Sequence, residues 1–363
     1  MIVSFLERRK ATVRIQKTED GSIVDENARV LYFSIERFVR DICDGDCCFI
    51  CGVDPATIAF NDEHVIPDWI LRKFDLHSTR ITFANRAGLT YDRYKIPCCG
   101  TCNALMSSVF ETPISELVAD GYPAVADHVK REGPWILFKW LNLIFFKTHL
   151  KDRKLRFHLD SREGSEKIAD FYYWEELHHI HCIARSFYTG ARLDPTVLGS
   201  FLIFPAKTGT PFGDFDYRDM YAGRTVLLRL GEIGLLSVLN DSCAAWNLLK
   251  GDLQRIGGPL SPSQFKELFA RMAFINLHLK QRPVPASSFS AEGCDYVILA
   301  DVPEVVELEK AESTEFGRLL YWCCEDIIRA LPSGDQERIS HHIKEGTLSF
   351  LFDGDGKFVN NAL

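Results

Sequence analysis

Cys48-Phe49-Ile50-Cys51-Gly52, Glu63-His64-Val65-Ile66-Pro67 and Cys99-Gly100-Thr101-Cys102-Asn103 follow one another in the first third of the chain, and their reading decides the fold. Each Cys-x2-Cys knuckle presents two thiolates to one ion, and two knuckles complete a tetrahedral four-thiolate site of the kind that binds zinc. Such a site is closed. It leaves no position for water, so its metal staples a small fold and performs no chemistry. Cys47 and Cys98 each precede a knuckle by one residue and offer a shifted register. The two-residue spacing, with Gly52 after the first knuckle, favours Cys48, Cys51, Cys99 and Cys102 as ligands of a structural Zn2+. The competing reading is two unrelated groups of buried thiols.

The acid–histidine pair between the knuckles carries more chemical information. Phosphodiester hydrolysis needs an activated water and a cation that stabilises charge on the phosphate and the leaving oxygen. A neutral histidine is the natural base near pH 7, and a neighbouring carboxylate holds a hard cation such as Mg2+. On a regular strand Glu63 and His64 point to opposite faces, so a shared site requires a twist or kink at the strand end. Asn103, at the start of the following helix, offers a second oxygen ligand.

These three runs resemble the cysteine-containing branch of the HNH, or ββα-metal, nucleases, a family that includes homing endonucleases, colicin-type DNases and modification-dependent restriction enzymes. The resemblance covers residues 45–112. It implies a treble-clef-like fold in which a two-stranded hairpin and a helix grip one divalent cation, Mg2+ or Mn2+. It implies His64 as general base, Glu63 as a catalytic residue and metal ligand, and Asn103 as the third signature residue and second ligand. The activity implied is metal-dependent cleavage of DNA, with RNA as the alternative substrate, in a setting such as bacterial or antiviral defence or restriction. The chain departs from the family at three places. Tyr94 stands near the position of a middle Asn that orients the base, the nearest asparagine being Asn85. Glu63 replaces the commoner Asp. Met106 and Ser107 follow Asn103 where a Lys is common.

Neighbouring residues extend the site. Asn103, Ser107 and Glu111 recur at i, i+4 and i+8 and share a helix face. They either support the site or form a solvated face. Arg80, Arg86 and Arg93, between the two halves of the motif, are candidates to clamp substrate phosphates, against the plain reading of surface arginines. A rival account makes the whole unit a noncatalytic zinc-ribbon module that binds nucleic acid or protein. Such a scaffold has no need of Glu63-His64, and its His64 is an ordinary hydrogen-bonded core residue.

The fold class that follows is α+β: a zinc-stapled ββα-metal domain over residues 1–121, then a larger mixed α+β domain over 122–363 for recognition, sensing or regulation. The division is placed at the Gly121-Tyr122-Pro123 turn. The 363 residues carry 46% hydrophobic and 25% charged side chains, ordinary for globular chains. No stretch reaches the roughly 18 unbroken apolar residues of a membrane helix, and the N-terminus shows no secretory leader. The expected location is the cytoplasm, where the twelve cysteines are thiols or metal ligands rather than disulfides. The net charge of -8 argues against a nonspecific coat on nucleic acid. Yet eight basic residues between Lys130 and Arg156 face only Glu132 and Asp152, a candidate phosphate surface. A homo-oligomer or a regulatory partner for the second region is compatible with the sequence. No Walker loop or GxGxxG follows a strand, so nucleotide hydrolysis and dinucleotide binding lack support.

Periodicity and punctuation give the coarse elements. Helices are expected at Ile35–Cys43, Asp68–Phe74, Thr101–Val118 with a break near Pro113, from Pro134 to His149, at Ser165–Phe187, after the capping box Ser261-Pro262-Ser263-Gln264, and at Glu315–Leu331. Strands are expected at 12–16, 30–34, Ile81–Phe83, Tyr94–Ile96, Leu202–Phe204, Thr225–Leu230, Gly234–Val238 and Asp295–Leu299, with a terminal hairpin at Leu348–Val359. His178-His179-Ile180-His181-Cys182 reads as a polar helix face with one buried residue, or as an accessory metal site. His341-His342 reads as an exposed pair.

Overall fold

Short β-prone runs separated by turn residues open the described chain: β1 (Ile15–Lys17), β2 (Ile23–Asp25) and β3 (Val30–Tyr32) form an antiparallel sheet in that order. This is a computed structural model, and it describes residues 15–82, 88–158, 160, 162–290 and 295–360. Arg86, Asn85, Phe83 and Cys294 lie outside the described residues. Ser34 caps the next helix by accepting from the Arg37 N–H at 3.2 Å. That helix, α1 (Ile35–Arg37), runs into a π-helical turn ending at Cys43 and delivers the chain to the first knuckle.

β4 (Phe60–His64) leads through Pro67 into α2 (Asp68–Lys73). A small hairpin follows, β5 (Arg80–Thr82) with β6 (Gly88–Thr90), and then β7 (Lys95–Cys99). β4 and β7 pair antiparallel, with Glu63 opposite Ile96 and His64 opposite Lys95. α3 (Gly100–Met106) follows β7 without a loop. The result is a strand–strand–helix unit with a cysteine pair at each end of its chain. The interruption expected near Pro113 takes the form of a π-helical turn rather than a loop. α3 continues through a π-helical segment, Ser107–Glu111, into α4 (Thr112–Ala119). The wider π turn accommodates the proline ring and its missing N–H.

α5 (Gly121–Glu132) precedes α6 (Trp135–Asp152), which is apolar on all sides and therefore central. Every residue of α6 from Trp140 to Leu150 is buried. The long helix expected over Ser165–Phe187 is instead two 3-10 turns followed by α7 (His178–Ala184) and α8 (Ser186–Thr189). Tyr172 takes an extended conformation between the 3-10 turns. There its ring stacks on Tyr221 at 4.2 Å and its hydroxyl meets His149 Nδ1 at 3.1 Å. Those tertiary contacts outweigh the helical pattern.

The rest of the chain is mixed. β8 (Arg192–Leu193) precedes an antiparallel sheet of β9 (Phe201–Pro205), β10 (Phe215–Met220), β11 (Thr225–Leu230) and β12 (Ile233–Val238), ordered β10-β11-β12-β9. α9 (Ala244–Arg255) and α10 (Pro262–Leu277) follow, the latter begun by the capping box at Ser261. β13 (Val284–Phe289) and β14 (Tyr296–Asp301) join β8 in a third sheet. α11 (Ser313–Arg329) and α12 (Ser333–Lys344) complete the helices.

One apolar cluster runs from Val30 to Ala300 and is continuous across the junction of α4 and α5, where the sequence suggested a division. Phe38 stacks on Phe146, and Trp69 on Trp140, tying the strand–strand–helix unit to α6. A second cluster packs α9, α10 and α11 on the other side of the sheet. Among the described residues no helix is long and apolar enough to cross a membrane.

Candidate metal centre and active site

The sulfurs of Cys48, Cys51, Cys99 and Cys102 lie within 4.8 Å of one another, the one such convergence of metal-ligating side chains among the described residues. Cys51 and Cys99 sulfurs are 3.7 Å apart. A tetrahedron with metal–sulfur arms of about 2.3 Å has edges of about 3.8 Å. The donor chemistry and spacing thus fit a metal ion such as zinc. Local structure explains the convergence. Gly52 has φ +79°, and the Phe33 ring would lie 2.6 Å from a Cβ there, so only glycine closes the knuckle. Cys99 ends β7 and caps α3, and Cys102 sits in the first turn. Cys98 lies 3.8 Å from Cys48 but outside the converging four.

The histidines of α7 belong to this centre without ligating it. His181 Nε2 meets the Phe49 carbonyl at 2.7 Å, and His178 Nε2 meets the Phe33 carbonyl at 2.8 Å. A carbonyl only accepts, so His181 carries its proton on Nε2; burial holds its pKa well below the usual value, keeping the ring neutral. Arg185 donates to Ile50, Val30 and Leu31 carbonyls at 2.8, 2.6 and 3.2 Å. These side chains satisfy buried backbone acceptors that the irregular knuckle cannot pair internally. His178 and His181 are buried, so the exposed polar face expected for this segment is replaced by a brace.

Strand alternation separates Glu63 from His64, and no kink reunites them. Glu63 is 6% exposed and its Oε1 accepts from Lys147 Nζ at 2.7 Å. Lys147 is 1% exposed and also donates to the His64 carbonyl at 2.7 Å. Glu111, half-buried at the end of the π segment, lies within electrostatic reach of Lys147, Glu63, Asp68 and Arg72. Burial, more than the Glu63 charge, raises its pKa. Glu111 thus shares an electrostatic neighbourhood with Glu63, while the π-helical turn at Ser107–Glu111 interrupts the spacing expected to put Asn103, Ser107 and Glu111 on one face. Glu63 and, in α3, Asn103 carry oxygen donors of the right chemistry for a divalent cation, but no hydrogen bond joins the two and an ammonium from α6 is already seated on Glu63.

His64 has other neighbours. Its Nε2 is buried, has no hydrogen-bond partner among the described residues, and lies 3.7 Å from Asp92 Oδ1. Burial, reinforced by Lys95, holds its pKa below the usual histidine value, so the ring is neutral near pH 7. His77 stands edge-on to it at 6.5 Å and bonds Asp68 at 2.9 Å. Arg80 and Arg93 are exposed on the connection between β4 and β7, and neither forms an ion pair among the described residues. Tyr94 is buried, its hydroxyl donating to Asp152 at 2.7 Å, so it fastens the hairpin to α6.

Part of the basic segment also reaches the unit. Lys151, Arg153 and Lys154 line a groove together with Lys95 of β7. Asp46 offsets two of them, pairing with Arg153 at 2.9 Å and Lys154 at 3.1 Å. Lys147, Glu111 and the groove lysines entered the site through tertiary packing. In the sequence Glu111 was marked by its helical spacing from Asn103, and Lys147, Lys151 and Lys154 by the basic segment between Lys130 and Arg156, but nothing local set Lys147 against Glu63.

Compared with known proteins, the chain matches no family model, no curated sequence and no solved structure.

Proposed function

We propose that the strand–strand–helix unit is a zinc-stapled, metal-dependent phosphodiester hydrolase. More narrowly, it is read as an HNH-type endonuclease acting on DNA, with the remaining α+β region serving recognition or regulation. The observation that carries the reading is His64: an imidazole kept neutral by burial, at the end of β4 and opposite Lys95, whose Nε2 faces Asp92 Oδ1 at 3.7 Å, beyond hydrogen-bond distance. In this role His64 accepts the proton of the attacking water. Glu63, Asn103 and Glu111 would be the donors for Mg2+ or Mn2+, which when bound would supply charge stabilisation at the phosphate; since Glu63 and His64 project to opposite faces of β4, the strand end has to twist for base and metal to serve one phosphate. Lys95, Lys151 and Lys154 attract the phosphate backbone.

The test is nicking of supercoiled plasmid with Mg2+ or Mn2+. His64→Ala is expected to lower the rate by roughly 10²–10⁴-fold, the usual worth of a general base, with zinc content unchanged. Equal cutting by both proteins removes the base assignment. Because the His64 pKa is depressed, activity should persist as pH falls to 6.5 and decline only below it, as the ring protonates. A rate that halves near or above pH 7 on acidification contradicts this assignment.

The Glu63–Lys147 pair favours one second reading, a noncatalytic zinc module. If wild type and variant both fail to cut while fluorescence anisotropy shows binding to DNA or RNA, that reading replaces the first.

A further inference from the structure

A lysine in the middle of a helix that is buried on all sides from Trp140 to Leu150 requires a dedicated partner. Lys147 has two, both oxygens of β4: the Glu63 carboxylate and the His64 carbonyl, each at 2.7 Å. Glu111 adds a further carboxylate within electrostatic reach. A carboxylate and a main-chain carbonyl meet on one positive group, with the Glu111 carboxylate beyond ion-pair distance but within its field, and oxygen donors of this kind are what a hard cation selects.

We propose that the Lys147 ammonium is a tethered cation that competes with a divalent metal for this position, so that loading the site requires Lys147 to leave Glu63. The inference rests on reading Glu63, Asn103 and Glu111 as donors for a divalent cation; it needs no cleavage to be tested. With Lys147 in place, the Glu63 charge is already neutralised, and an incoming dication meets a positive group beside its first ligand. With Lys147 withdrawn, the Glu63 carboxylate and the His64 carbonyl are released to the metal. Since Lys147 belongs to α6, beyond the strand–strand–helix unit, metal loading is placed under control of the larger region's packing.

The experiment is titration of zinc-loaded full-length protein with Mn2+, with free Mn2+ followed by electron paramagnetic resonance. Wild type is expected to bind no tighter than roughly millimolar, and Lys147→Gln to bind one Mn2+ at least about tenfold more tightly. The double variant Lys147→Gln with Glu63→Gln should return to wild-type weakness. Equal affinity of wild type and Lys147→Gln overturns the proposal, as does tight binding that survives in the double variant. If Lys147→Gln does not fold alone, Mn2+ should restore its folding; a chain that stays unfolded with Mn2+ while the double variant folds also overturns it. A protein that passes this test yet cuts no DNA refutes the nuclease reading alone.

Discussion

Stripping the metal from the four-cysteine centre, or replacing Cys99 with serine, is expected to unfold the strand–strand–helix unit together with the core it shares with α6. Structural zinc sites contribute about 10–16 kcal/mol of apparent binding free energy at neutral pH, as much as the whole net stability of a typical domain, about 5–15 kcal/mol. The chain offers little to compensate. The knuckle around Cys48 and Cys51 is irregular, and its carbonyls are held by His181 and Arg185 rather than by a ladder. Without the metal those two buried side chains lose their fixed partners, and the penalty for an unpaired buried polar group adds to the lost coordination. Phe38, packed on both Phe146 and His181, transmits the loss to α6. Elemental analysis of the purified protein should find about one zinc per chain. Circular dichroism melts with and without a strong chelator should show loss of the cooperative transition. A chelated, metal-free chain with an unchanged melt would refute the structural role.

Lys147→Met is expected to destabilise the protein by about 3–5 kcal/mol, the usual result of removing one partner of a buried ion pair. Glu63 would remain 6% exposed with no cation beside it, and the His64 carbonyl would lose its donor as well. Removing both charges should recover most of the loss, since a buried pair replaced by neutral groups of similar volume is often close to neutral. Chemical denaturation of wild type, Lys147→Met, Glu63→Gln and the double variant forms a cycle that isolates the coupling. A loss below about 1 kcal/mol in Lys147→Met would place the pair in the class of exposed ion pairs. That outcome would contradict the burial on which the competition between Lys147 and a metal depends.

The two predictions divide what is local from what is not. The cysteine spacing, the acid–histidine pair and the helix after Cys102 are contiguous or nearly so, and local geometry is enough to order them. Two knuckles predicted one four-thiolate centre, and the sulfurs converge. The period of a strand sets Glu63 and His64 on opposite faces of β4, whereas their joint role came only from the resemblance. The helices begun by Asp68, Pro134 and Ser261 were legible for the same reason: caps, prolines and apolar spacing act within a few residues.

What the tertiary structure decided lies at long separation. Lys147 stands 84 residues after Glu63, and a lysine in an apolar helix reads equally well as one that reaches solvent. His178 and His181 carry donors whose acceptors are more than a hundred residues away, so no local pattern distinguishes a brace from a metal site. β13 lacks the alternation that marks a half-buried strand, and β10 keeps it only from Phe215 to Arg218, so cross-strand partners define them. The helical pattern over 165–187 yields to the Tyr172–Tyr221 stack for the same reason. Side-chain spacing along the chain specifies which groups can share a face. Which of those groups meet, and whether a cation from one region neutralises a carboxylate from another, is set by how the buried surfaces pack.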